Sequence, residues 1–171
     1  MFENTYQNHN HLIFNILDIV FFLYFFYIYW KSTTNPKLKK YIKWGTFLFC
    51  TASIVNPFFE PFILRPQLLV IITGSGALVL FAYLYLKEHR NIPAAFSNYH
   101  KLLRWINIGL VCFYTFYPAI ISVGQLNEDL YNTLHLRKLL LFLIVVLYSC
   151  FIIGFLRLSK TTSHMETKKA F

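Results

Sequence analysis

Apolar residues fill five long runs of this chain, and polar residues collect in the short gaps between them. The runs cover about 12–30, 41–64, 68–86, 102–123 and 139–156. A helix needs about 20 apolar residues to cross a bilayer's hydrocarbon core, and all five approach that length. Backbone polar groups inside lipid must be bonded internally, which leaves helices or closed barrels as spanning structures. Barrel strands would alternate over segments of about 10 residues, and no such alternation is seen. The pattern therefore predicts an all-α, polytopic membrane protein: a five-helix transmembrane bundle forming a single integral membrane domain with a tail at 157–171.

Local signals mark the helix boundaries. Asn35-Pro36 caps and starts the second helix, with Pro36 where its missing N–H costs nothing. Ser97 fits as the cap of the fourth. Asn127, followed by Glu128 and Asp129, starts the fifth helix early, with acids at the positive end of its dipole. Arg65-Pro66-Gln67 makes a very short turn, which predicts an antiparallel hairpin of helices two and three.

Composition agrees with lipid as the solvent. Of 171 residues, 57% are hydrophobic and 13% charged, with 19 Phe and 12 Tyr; soluble domains run nearer 45–50% and about 25%. The net charge of +9 raises the question of nucleic acid. The chain has no soluble basic domain to bind one, and its basic residues cluster at span ends, beside anionic headgroups. Membrane lipids and other membrane chains, or further copies of this one, are the expected partners.

The basic residues also give an orientation. Thirteen Lys and Arg fall on one side: Lys31 to Lys43, Lys87 to Arg104, and the tail from Arg157. Arg65, Arg137 and Lys138 fall on the other. The positive-inside rule then puts the N-terminus outside and the C-terminus in the cytoplasm. Trp30, Trp44 and Trp105 all sit at the inner boundary, as an aromatic belt would. The first span reads as an anchor rather than a cleavable signal, since no Lys or Arg precedes it and no small-residue cleavage site follows. The setting is a bacterial inner membrane or, in a eukaryote, the endoplasmic reticulum. Lys168 and Lys169, fourth and third from the end, look like a dilysine retrieval signal, a receptor-read address.

Ionisable groups inside a span are costly and mark candidate sites. Asp18 and Glu60 both fall in the outer half. His11, Asn15 and Asp18 share one helix face, while Thr46, Cys50, Ser53 and Glu60, with Asn56 close by, form a second polar stripe. The plainer reading is hydrogen-bonding glue between helices. The functional one is a small polar cavity in which Asp18 and Glu60 accept a proton or cation, with Asn15, Asn56 and His11 as further ligands. Two prolines four residues apart, Pro57 and Pro61, should break helix two. Freed carbonyls beside Glu60 would resemble the broken helices of transporters; a local Glu60–Arg65 pairing is the bland counterpart.

Helix three carries Thr73-Gly74-Ser75-Gly76-Ala77 at mid-depth, a helix-packing notch. A serine between glycines would serve an intramembrane protease only with a histidine in a span, and all six histidines fall in loops, tails or boundaries. That distribution also disfavours haem ligation. Cys50, Cys112 and Cys150 lie in three spans without a companion His or acid, so they read as small apolar residues rather than a metal site. No catalytic residue, cofactor or metal is expected. The leading expectation is a non-enzymatic assembly, sensor or accessory subunit. A small proton, cation or solute transporter or channel using Asp18 and Glu60 is second. An enzyme acting on lipid, with Asp18, Glu60 and Tyr117 as acid–base groups, is third.

Overall fold

A computed structural model describes residues 3–89 and 98–169, with side chains over 11–89 and 100–158. Those residues are helical nearly throughout: α1 (Glu3–Ser32), α2 (Pro36–Val55), α3 (Leu68–Glu88), α4 (Asn98–Leu126), α5 (Glu128–Thr133) and α6 (Leu136–Lys169), with a 3₁₀ turn at Asn56–Phe58. Four helices are long and apolar enough to cross a membrane: His11–Ser32, Leu68–Glu88, His100–Leu126 and Leu136–Leu158. This is the signature of a membrane protein. α2 falls outside that set, because Lys37, Lys39, Lys40 and Lys43 occupy its first two turns.

The chain divides into two compact units, Met1–Phe81 and Ala82–Phe171. In the first, a cluster of phenylalanines holds α1, α2 and the first part of α3 together. Phe49 of α2 meets Phe22 and Phe26 of α1 edge-on, each at 5.4 Å between ring centroids. Phe26 meets Phe81 at 5.2 Å. Gly45 admits the Phe81 ring, and Gly74 admits Phe22: a Cβ at either position would lie within 2.6 Å of that ring. Directions follow from these pairs. Moving from Asn15 to Phe22 to Phe26 along α1, the partners move from Gln67 to Gly74 to Phe81, so α1 and α3 run in the same sense. α2 runs against both.

Asn35 caps α2 as expected: its Oδ1 accepts from Lys37 N–H at 2.9 Å, with Pro36 in the first turn. The far end differs from expectation. Rather than continuing to residue 64, α2 stops at Val55, and the link to α3 spans Phe59 to Gln67 rather than three residues. Pro57 and Pro61 lack the N–H that a continuing helix requires. Their neighbours close short turns instead: Glu60 N–H bonds Asn56 O at 2.9 Å, and Leu64 N–H bonds Pro61 O at 3.1 Å.

In the second unit α4 and α6 pack antiparallel. Gly109 lies against Cys150 and Leu147, and Gly154 against Leu102 and Trp105; small residues let the backbones approach. α4 continues through Pro118. Asn127 does act as a cap, its Oδ1 accepting from Leu130 N–H at 2.9 Å, but the helix it starts is a separate short one. α5 ends at Thr133, and His135, at φ 50°, turns the chain through the left-handed region before α6 begins. Ser97, expected to cap α4, lies outside the described residues.

Candidate functional site

The link between α2 and α3 gathers three of the first unit's buried polar side chains, Asn15, Asn56 and Gln67, into one knot with Glu60. Asn15 is the anchor on α1. Its amide nitrogen donates to Phe62 O at 2.7 Å and to Arg65 O at 2.9 Å, and its Oδ1 accepts from Gln67 N–H at 3.2 Å. Asn56, at the end of α2, donates to Glu60 Oε2 at 2.9 Å and to Gln67 Oε1 at 2.6 Å. Gln67 returns a bond from Nε2 to Glu60 O at 3.1 Å. Glu60 Oε2 also accepts from Leu68 N–H at 2.9 Å, the first residue of α3. Asn15, Asn56 and Gln67 are each 3% exposed or less.

The amide donors of Asn15 and Asn56 are taken up within this knot. A side-chain amide has two N–H donors and one carbonyl, and in Asn15 and Asn56 both donors are used. The carbonyls of Phe62, Arg65 and Glu60, which the proline break removes from helical bonding, accept N–H bonds from Asn15 and Gln67. Glu60 behaves as a helix cap: its carboxylate satisfies an N–H at the start of α3, where negative charge meets the positive end of the helix dipole. No ion pair joins Glu60 to Arg65 among the described residues.

The sequence-derived candidates thus separate. Asn15, Asn56 and Glu60 converge. Asp18 lies one turn further along α1, half-buried, and no hydrogen bond or ion pair ties it to Glu60 among the described residues. His11, at the start of the described side chains, is half-buried and stands outside the knot. The hydroxyls of α2 do not bridge helices: Thr46 bonds Ile42 O at 2.8 Å and Ser53 bonds Phe49 O at 2.9 Å, both within their own helix. Gln67 is the member that sequence reasoning missed. Its signal was slight, a lone amide between Pro66 and the apolar start of α3.

The small-residue notch on α3 also divides. Gly74 is filled by Phe22 of this chain, whereas a Cβ on Gly76 would meet nothing within 4 Å. Ser75, 1% exposed, has a hydroxyl without a hydrogen-bond partner among the described residues.

A second cluster lies in the other unit. Tyr85, His89 and His100 stack, with Tyr85–His89 centroids at 4.1 Å and His89–His100 at 4.6 Å. Tyr85 Oη and His100 Nδ1 are hydrogen-bonded at 2.5 Å, and His89 Nδ1 lies 2.9 Å from Tyr85 O. Since a carbonyl only accepts, His89 carries its proton on Nδ1. Tyr117, an acid–base candidate, stacks on Phe113 at 5.0 Å. The three cysteines are free thiols, and no group of three His, Cys, Asp or Glu side chains is placed to hold a metal among the described residues. Lys168 and Lys169 fall where only the backbone of α6 is described; their side chains lie outside the described residues. Comparison with known protein families, curated proteins and solved structures found no match.

Proposed function

We propose that this chain crosses the membrane five times, N-terminus outside and C-terminus in the cytoplasm, and serves as a non-enzymatic assembly, sensor or accessory subunit through helix–helix contacts. The parallel course of α1 and α3 supports the fifth crossing. Two parallel spans begin on the same side, so the chain between them must return across the bilayer. α2 is what lies between, and its 20 residues make about 30 Å of helix, the thickness of the hydrocarbon core. The distribution of Lys and Arg supports the orientation.

Gly76 is the observation that carries the subunit reading. It lies at mid-depth on an apolar helix, with open space where a side chain would be. In lipid, helices associate by close packing of small residues, and this position is available to a neighbour. The two bonds that Glu60 Oε2 accepts within the knot weaken the rival use of that acid as an ion ligand. The test is purification in mild detergent with and without Gly76→Leu. A defined membrane partner, or a second copy, should co-purify with the parent and be lost from the variant. A parent that purifies alone removes the reading. Tags on both ends, probed from each side, test the topology separately: accessibility from one compartment alone refutes five crossings.

One observation favours a second reading. Asp18 is a half-buried acid on an apolar helix, and it makes no hydrogen bond or ion pair among the described residues. Intramembrane carboxylates commonly carry protons or cations. That reading expects flux in proteoliposomes, abolished by Asp18→Asn with folding intact, and equal flux in both proteins removes it.

A further inference from the structure

The lysine-rich start of α2 is the strongest charged feature of the described residues. Lys31, Lys37, Lys40 and Lys43 are exposed. Lys39 is held with its Nζ 5.6 Å from the centre of the Trp30 ring, a cation–π contact that keeps this ammonium at the end of the helix pair. The neighbouring sequence supplies no acid to offset the charge. No Asp or Glu occurs between Asp18 and Glu60, and none lies in the first turn of α2. A helix N-terminus carries the positive end of its dipole and is stabilised by anions; here cations crowd it. An anion from outside the chain would relieve that arrangement.

The exposed face of α2 says which anion. Lys37, Lys40, Tyr41, Trp44 and Leu48 recur at steps of three and four, so they share a face. All five are exposed, with Tyr41 at 60%, Trp44 at 63% and Leu48 at 62%. The opposite side, Leu38, Ile42, Phe49 and Ala52, is buried. Along the exposed stripe the chemistry changes in order: cations, then amphipathic aromatics, then aliphatic surface. From Lys37 to Trp44 is about 10 Å of helix, and Leu48 lies about 6 Å further on. A phospholipid presents the complementary order over similar lengths: phosphate, glycerol backbone, acyl chain. A soluble phosphate would use the lysines and leave the aromatic and aliphatic part of the stripe without a role.

We propose that the exposed stripe of α2, from Lys37 to Leu48, is a docking surface for an anionic phospholipid, with the headgroup at Lys37 and Lys40 and the acyl chain along Trp44 and Leu48. This goes beyond the orienting effect of positive charge, because it assigns one lipid class to one helix face. It rests on α2 crossing the membrane and holds for either functional reading.

The test uses Trp44 as reporter. In the full chain carrying Trp30→Phe and Trp105→Phe, Trp44 is the remaining one of the three tryptophans. The protein is reconstituted into phosphatidylcholine vesicles in which either phosphatidylserine or phosphatidylcholine bears brominated chains, which quench nearby indoles. The expected result is stronger quenching by brominated phosphatidylserine at equal mole fraction. Replacing Lys37 and Lys40 with Gln should lower that preference about fivefold per lysine, the effect of one cation at an anionic surface. Lys138→Gln, outside the stripe, should leave it unchanged. Equal quenching by the two lipids in the starting protein overturns the proposal, as does a preference that survives the double substitution. Should the lysine variants fail to insert, a salt titration of the starting protein decides. A preference that shrinks as ionic strength rises supports the surface, and one indifferent to salt overturns it. Because no protein partner is added, neither result depends on the subunit reading, and the tag experiment tests the fifth crossing independently.

Discussion

Asn15→Leu is the sharpest probe of the knot. Leucine nearly matches asparagine in shape, so the substitution changes chemistry more than packing. It removes three bonds: to Phe62 O, to Arg65 O and from Gln67 N–H. Side-chain hydrogen bonds between helices in membranes average about 0.6 kcal/mol, and ordinary buried ones give about 0.5–1.5 kcal/mol, rising where a partner is left buried and unbonded. Asn15 is 3% exposed, so water does not readily replace it. Three such bonds amount to about 2–4 kcal/mol. At about 2–4 °C per kcal/mol for a chain of this size, the melting temperature in detergent should fall by about 10 °C. Thr51→Val is the matched control, because its exposed hydroxyl bonds only Phe47 O in its own helix. It should shift melting by less than about 0.5 kcal/mol. If Asn15→Leu melts within about 2 °C of the parent, Asn15 does not hold the α2–α3 link and the knot described is wrong.

Further substitutions test the other contacts. Glu60→Gln retains a carbonyl that can accept from Leu68 N–H, so it should cost under about 1 kcal/mol, whereas Glu60→Ala loses the cap and should cost about 2 kcal/mol; equal melting losses would argue against capping. Gly74→Ala drives a methyl into the buried Phe22 ring and should destabilise by about 1–3 kcal/mol. Gly76→Ala, which meets nothing, should stabilise the helix by up to about 1 kcal/mol, so a melting experiment that ranks them the other way would reject the packing described. Gly154→Leu pushes against Leu102 and Trp105 and should part α4 from α6, altering Trp105 emission as Arg157 leaves its ring, now 4.7 Å away.

The parts legible in the sequence are those written locally. Asn35-Pro36 and Asn127 cap helices because a short polar side chain can reach its own backbone whatever surrounds it. The proline break was legible for the same reason. Where α2 ends was not. Phe58, Phe59, Phe62, Ile63 and Leu64 keep the stretch apolar beyond Val55, and hydropathy reports solvent preference rather than backbone conformation. The knot was half legible. Asn15, Asn56 and Glu60 stood out as polar groups in apolar runs, but their meeting depends on the partners that the link supplies, and Gln67 carried no periodicity to mark it. The hydroxyl stripe of α2 misled because Ser and Thr in a helix can bond the carbonyl four residues back, which satisfies them without a neighbour.

α2 shows why averaging along a helix fails where charge is segregated. Taken whole, four lysines in its first two turns pull it below what an apolar span shows. Taken by position, the charge sits at one end, the aromatics one or two turns later, and the rest carries no charge, its hydroxyls bonded within the helix. Such a helix suits a bilayer better than a uniform mixture of the same composition, because each group meets its own layer. The contacts of the first unit supply an independent constraint. Asn15 with Gln67, Phe22 with Gly74 and Phe26 with Phe81 set two apolar helices side by side in the same sense, and in the proposed five-crossing topology α2 is the return between them. Hydropathy and helix direction thus bear on the same segment by separate physics. In the proposed topology charge segregation reconciles them, and the lysines that lower the helix's average are the groups that would hold its end at the headgroups.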